Sequence, residues 1–162
     1  MIEIDIQPSP LRNTGGRNVP VPYYSEMEWT PVLSAHTVGN LSVTYDHQWG
    51  RATRIGRIVH LEGVIDTTAF THTNASDELR LTGIPDVMAP LSDNSFRQRT
   101  GALSFEGITK IGYTQFLLNI IPGETFLTVV AMGTAVDMQT VQITELPSGG
   151  TPAFIFSISY SI

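Results

Sequence analysis

Between Trp49 and Asp66, apolar and polar side chains change sides at nearly every residue. Arg51, Thr53 and Ile55 fall on one side of an extended chain and Ala52, Arg54 and Gly56 on the other, the period of two that predicts a strand. Gly56 and Arg57 separate this run from a second one, in which Val59, Leu61, Gly63 and Ile65 share an apolar face and Ile58, His60, Glu62 and Val64 a mixed one. Glycine at the first of two loop positions suits the primed turns that match strand twist, so the two runs predict a β-hairpin.

The same alternation recurs along the chain. Leu41, Val43 and Tyr45 alternate with Ser42, Thr44 and Asp46, and Asp46 to Gln48 is expected to connect that strand to the hairpin. Thr67 to Asp77 is small and polar and reads as a long loop or ragged edge strand. Leu79 and Leu81 mark another strand, stopped at Gly83-Ile84-Pro85 because proline has no N–H for a ladder. A second loop spans Asp86 to Ser95, followed by strands expected within 96–106, 113–121 and 124–132. Both faces are apolar in Gln115 to Ile121 and in Phe126 to Met132, so both should be covered, the second cover being another subunit. Val141 to Thr144 reads as one short strand. At the end, Phe154, Phe156, Ile158, Tyr160 and Ile162 oppose Ser157, Ser159 and Ser161, a regular strand expected to be paired inside a sheet. No segment longer than ten residues carries a helical period. The pattern predicts an all-β, antiparallel β-sandwich, jelly-roll-like, in preference to a closed barrel.

Residues 1–28 differ in kind. Pro8, Pro10, Pro20 and Pro22 around Asn13 to Gly16 favour short extended pieces and supply no core pattern. This stretch reads as an extended N-terminal arm, with the domain at 29–162. Ile2, Ile4 and Ile6 alternate with Glu3 and Asp5 and could add a strand to another chain, as an anchor to a larger assembly. A frayed terminus or a strand folded back on its own domain is the alternative. Trp29, near Pro31 at the domain boundary, is expected to pack over one end of the core, with a carbohydrate platform as the alternative.

Composition narrows the function. The chain has 162 residues, enough for one domain, and no cysteine, which removes disulfides and thiolate chemistry. The net charge of −6 argues against a nucleic-acid surface, and the local arginines Arg51, Arg54 and Arg57 do not form one stripe. Met1 to Ile6 lacks the features of a secretion signal and no run of 18 apolar residues occurs, so neither export by that route nor membrane insertion is expected. Charged residues make up 15% and include a single Lys110, against about 25% in ordinary soluble domains. That deficit suggests buried subunit interfaces; a monomer surfaced with Ser, Thr and Asn is the alternative.

Motifs for hydrolase, phosphate-binding or zinc chemistry are missing, and no catalytic, cofactor or metal residue is assigned. His36, His47, His60 and His72 are scattered singly, a spacing more typical of ordinary hydrogen bonding than of ligation, although adjacent strands could bring two together near an Asp. Asp46, Asp66, Asp77 and Glu78 read as solvated turn carboxylates. The loops contain Phe70, His72, Asn74, Asp77, Asp93, Asn94 and Phe96, a ring-plus-polar set suited to a sugar, and these are the candidate ligand-binding residues.

Trp29-Thr30-Pro31, Val43-Thr44-Tyr45, Gly50 to Gly56 running into Ile58-Val59, Leu79 to Pro85 and Phe156 to Tyr160 occur in an order that resembles the C-terminal β-sandwich domains of tailed-bacteriophage tail fibre and tailspike proteins, in outline over residues 29–162. In that pattern an aromatic usually stands where this chain has Ala52, and Trp49 is expected to fill its volume. The resemblance implies a homotrimeric virion protein, made in the host bacterial cytoplasm, without catalytic residues, whose loops contact a host surface glycan. Its arm would dock on other virion proteins. A capsid decoration or head-fibre protein anchored by the same arm is the first alternative. A monomeric carbohydrate-binding module or small hydrolase is the second.

Overall fold

The computed structural model describes residues 23–90 and 98–162. Ten strands follow in order: β1 (Tyr24–Trp29), β2 (Val32–Thr37), β3 (Ser42–Ile55), β4 (Ile58–Thr71), β5 (Ser76–Thr82), β6 (Arg99–Glu106), β7 (Gln115–Ile120), β8 (Leu127–Gly133), β9 (Val136–Thr140) and β10 (Ala153–Ser161). Single 3-10 turns occupy Asp86–Met88 and Ile143–Glu145. The strands form one antiparallel sheet in the order β1-β3-β4-β10-β6-β7-β8-β5-β2, curled into a half-barrel, with β9 beside β5 on the same flank of β8. The all-β antiparallel expectation therefore holds.

The central hairpin forms as its pattern predicts. Ile55 pairs with Ile58 across Gly56 and Arg57, and Gly56 supplies the positive φ of 61° that the tight turn needs. Val59, Leu61 and Ile65 are fully buried. One stretch expected to leave the sheet, Asp46 to Gln48, stays in it, and part of another, Thr67 to Asp77, takes the strand alternative. Asp46 and Thr68 are each an extra residue on one strand of the β3–β4 pair, and the two bulges cancel, so the register is the same before and after them. Asp46 to Gln48 is thus bulged strand rather than a connection. Of the two readings of Thr67 to Asp77, Thr67 to Thr71 takes that of strand: Phe70 is fully buried there and the buried Thr67 hydroxyl donates to the Pro152 carbonyl at 2.8 Å.

Residues 24–28, read as arm, are likewise strand. β1 pairs with β3 from Tyr24 to Trp29 and turns Met27 and Trp29 inward. β1 and β2 lie at opposite ends of the strand order, yet only Thr30 and Pro31 separate them, so the curl brings the two ends together. There the Leu33 N–H donates to Tyr45 Oη at 2.9 Å and Gln48 Nε2 to the Pro31 carbonyl at 2.8 Å.

β10 is a central strand, carrying Phe154, Phe156, Ile158 and Tyr160 into the core between β4 and β6. β6 pairs with β10 through Ala102 to Glu106 and with β7 through Arg99 to Gly101. At that corner a β-carbon on Gly101 would meet the Ser157 carbonyl oxygen at 2.3 Å, so only glycine lets the strands approach. β8 is buried on both faces, as expected, but Thr128 and Val130 on its non-core side are already buried within the single chain. A neighbouring subunit is not needed to cover them.

Candidate functional site

The sequence-predicted ligand residues fall into two groups. Asp93, Asn94 and Phe96 lie outside the described residues, as do the anchor positions Ile2, Ile4 and Ile6. Phe70, His72, Asn74 and Asp77 come together at the β4–β5 connection. There, however, Phe70 is core: its ring is fully buried and meets the His72 ring edge-on at 5.4 Å, so it offers no face to a sugar.

The polar members of this corner bond to one another and to neighbouring segments. Asn40 Oδ1 accepts from the N–H groups of Thr73 (2.9 Å) and Asn74 (3.0 Å), while Asn74 Oδ1 accepts from the Asn40 N–H at 2.7 Å. This reciprocal clasp closes the β2–β3 turn onto the β4–β5 loop. His72 Nε2 lies 2.9 Å from the Leu146 carbonyl, which only accepts, so that nitrogen carries the proton. Asp77, at φ 68°, accepts from Thr37 Oγ1 at 2.8 Å and from Ser76 Oγ at 3.1 Å. The Thr37 bond, followed by that from Ser76, holds its carboxyl below the usual value. The corner is built as a latch.

A second polar group sits on β5. Arg80 donates to Glu78, reaches His36 Nδ1 at 3.0 Å and lies 3.9 Å above the Phe126 ring centroid. Among the described residues no group of three or more His, Asp or Glu side chains is arranged to hold a metal ion, and no helix is long and apolar enough to cross a membrane.

The third arrangement is the outer face of β1, β3, β4, β10 and β6, where strand register sets side chains into rows. The middle row is Trp49, Val64, Ile155 and Ser104. On one side of it runs Glu28, Arg51, Glu62, Ser157 and Ala102, and on the other His47, Asp66, Ala153 and Glu106. Trp49, Val64, Ile155 and Ser104 line a shallow open depression together with Glu62 and Ser157. Ile155 is 63% exposed, Trp49 Nε1 donates to Glu28 Oε1 at 3.4 Å, and the Arg51 guanidinium lies 5.8 Å from the Trp49 ring centroid. Arg51 Nε donates to Glu62 Oε1 at 2.7 Å, an interaction that raises the guanidinium pKa further. Trp49 therefore does not fill the volume beside Ala52, since Ala52 points into the core and Trp49 out of it. The signal in the sequence was one large apolar residue, Ile155, on a face of β10 otherwise made of alanine and serine.

No known family profile and no curated protein matches the chain. Among solved structures, the crystal structure of Dettilon tailspike protein (gp208) superposes with a TM-score of 0.58 at 12% sequence identity. The fold is similar to part of a phage tailspike. The match covers 84% of this chain and 23% of that one. At this identity the likeness is one of fold.

Proposed function

We propose that the chain is a structural protein of a tailed-phage virion, a homotrimeric appendage of the tail-fibre or tailspike kind that meets a host surface glycan. The carrying observation is the fold shared with a tailspike over 84% of this chain, in a sequence whose motif order already resembles such proteins. The segment ahead of β1, including Ile2, Ile4 and Ile6, is its attachment to other virion proteins.

Support for subunit contact comes from the hairpin end of the outer face. Tyr24, Ile55 and Ile58 form one exposed cross-strand row, with Tyr23 next to it. Burying such a row removes apolar surface from water at about 25 cal/mol per Å². Light scattering on the purified chain should give about three times the 17.7 kDa chain mass, and a single-chain mass overturns the trimer. Gold-labelled antibody on virus particles tests location. Label at the tail agrees with the proposal, label over the head replaces it with the decoration or head-fibre reading, and unlabelled particles remove the virion role.

A further inference from the structure

We propose that the outer-face row Trp49–Val64–Ile155 is a saccharide-binding platform, and that the sugar it takes is uncharged or carries an amine. The proposal rests on the glycan-binding part of the reading above and moves the contact from the loops to the sheet.

The chemistry of the row carries it. A sugar presents an apolar C–H face and a rim of hydroxyls, and so needs an apolar patch bordered by hydrogen-bonding groups. Trp49 and the exposed Ile155 supply the patch, and a tryptophan held at a wet surface has both an apolar body and a polar edge. Its Nε1 is anchored by Glu28, which fixes the ring without burying it. The border is polar on both sides. Arg51 meets Glu62 at Oε1 and faces Glu26 Oε1 at 3.8 Å, no hydrogen bond engages Glu62 Oε2 among the described residues, and Glu62, Ser104 and Ser157 line the depression. The loop corner contrasts with this, because its one ring, Phe70, is fully buried and the carboxamide oxygens of Asn40 and Asn74 are tied into the clasp.

Charge decides which sugar. Around the row one arginine, Arg51, stands among four carboxylates, Glu28, Glu62, Asp66 and Glu106. This acidic frame, on a chain of net charge −6, repels uronic acids and phosphorylated sugars and tolerates hexoses and hexosamines.

The test is a printed array of neutral, amine-bearing and uronic-acid-bearing oligosaccharides probed with the full chain, repeated with Trp49→Ala and with Ile155→Ser. Ile155 is exposed, so its variant should fold whatever happens to the other. Expected is binding to neutral or amine-bearing sugars that weakens at least ten-fold in both variants. Iodide quenching gives a separate readout: the bound sugar should shield Trp49, the half-buried tryptophan, and leave the buried Trp29 unaffected. Unchanged affinity in both variants, preference for acidic sugars, an array with no binding, or a Trp49→Ala variant altered only in its oligomeric state would each overturn the proposal. Virion labelling is independent of these outcomes, so a failed platform and a failed appendage role are told apart.

Discussion

The indole of Trp29 lies flat against the space where Gly50 lacks a side chain: a β-carbon built on Gly50 would stand 2.5 Å from Trp29 Nε1. The two residues are cross-strand partners, and the row continues through Gly63 to Phe156. On this core-facing row two adjacent glycines make room for two rings, which meet edge to face with centroids 6.1 Å apart. Gly50 has no positive φ, so its requirement is one of space alone. Gly50→Ala should cost about 1–3 kcal/mol in urea unfolding, the usual penalty of overpacking. A variant as stable as the parent would show that Trp29 can swing away freely.

Gly63 makes the same demand on Phe156, whose Cζ would lie 2.5 Å from an added β-carbon. Here the obstacle is the far end of one ring. Gly63→Ala should therefore be destabilising alone but couple to Phe156→Leu, which withdraws the obstructing atom. A double-mutant cycle should return a favourable interaction of about 0.5–3 kcal/mol. Strict additivity would place the strain in the backbone instead.

Tyr160 donates its buried hydroxyl to the Met88 carbonyl at 2.6 Å. Tyr160→Phe keeps the ring and leaves that carbonyl without its donor, a loss of about 1–3 kcal/mol. Burial also pushes the phenol pKa well above its ordinary value. A raised folded pKa means the contribution is complete below the unfolded value, about 10, and is lost as pH rises beyond it. In an alkaline absorbance titration Tyr160 should ionise last and together with unfolding, a late phase that Tyr160→Phe removes.

Asp77 gives the opposite pH dependence. Its carboxyl is held low by hydrogen bonds from Thr37 and Ser76, so its contribution is present above the unfolded value, about 3.9, and is lost as pH falls through the folded one. Asn tolerates the left-handed backbone at this position, so Asp77→Asn removes the charge without adding strain. The variant should lose stability at neutral pH and show a shallower decline below about pH 4 than the parent. Parallel acid-unfolding curves for the two proteins would show that Asp77 contributes nothing to acid sensitivity.

Much of the fold was legible because alternation survives wherever one strand face is buried. The Gly56 turn, the inward sets on β4 and β10 and the stop at Gly83 to Pro85 all follow from local chemistry. Thr67 to Thr71 stayed open between loop and edge strand because threonine-rich strand and polar loop share a composition, and only pairing to β3 tells them apart. Asp46 was misread because a bulge breaks alternation as a loop does. Phe70 looked like an exposed loop ring, but the core claims it, and His72, Asn74 and Asp77 found partners far along the chain.

From the sequence alone come the class, the central hairpin and the face of each regular strand, since these depend on a period of two and on the φ preferences of glycine and proline. Strand order is different, being set by packing between segments far apart in the chain. Only the tertiary structure brings β1 to β3 and β10 between β4 and β6, and so sets Trp29 on Gly50 inside and Trp49, Val64 and Ile155 in one row outside. Which side chains become neighbours across strands is fixed by register, a long-range property that no local pattern encodes.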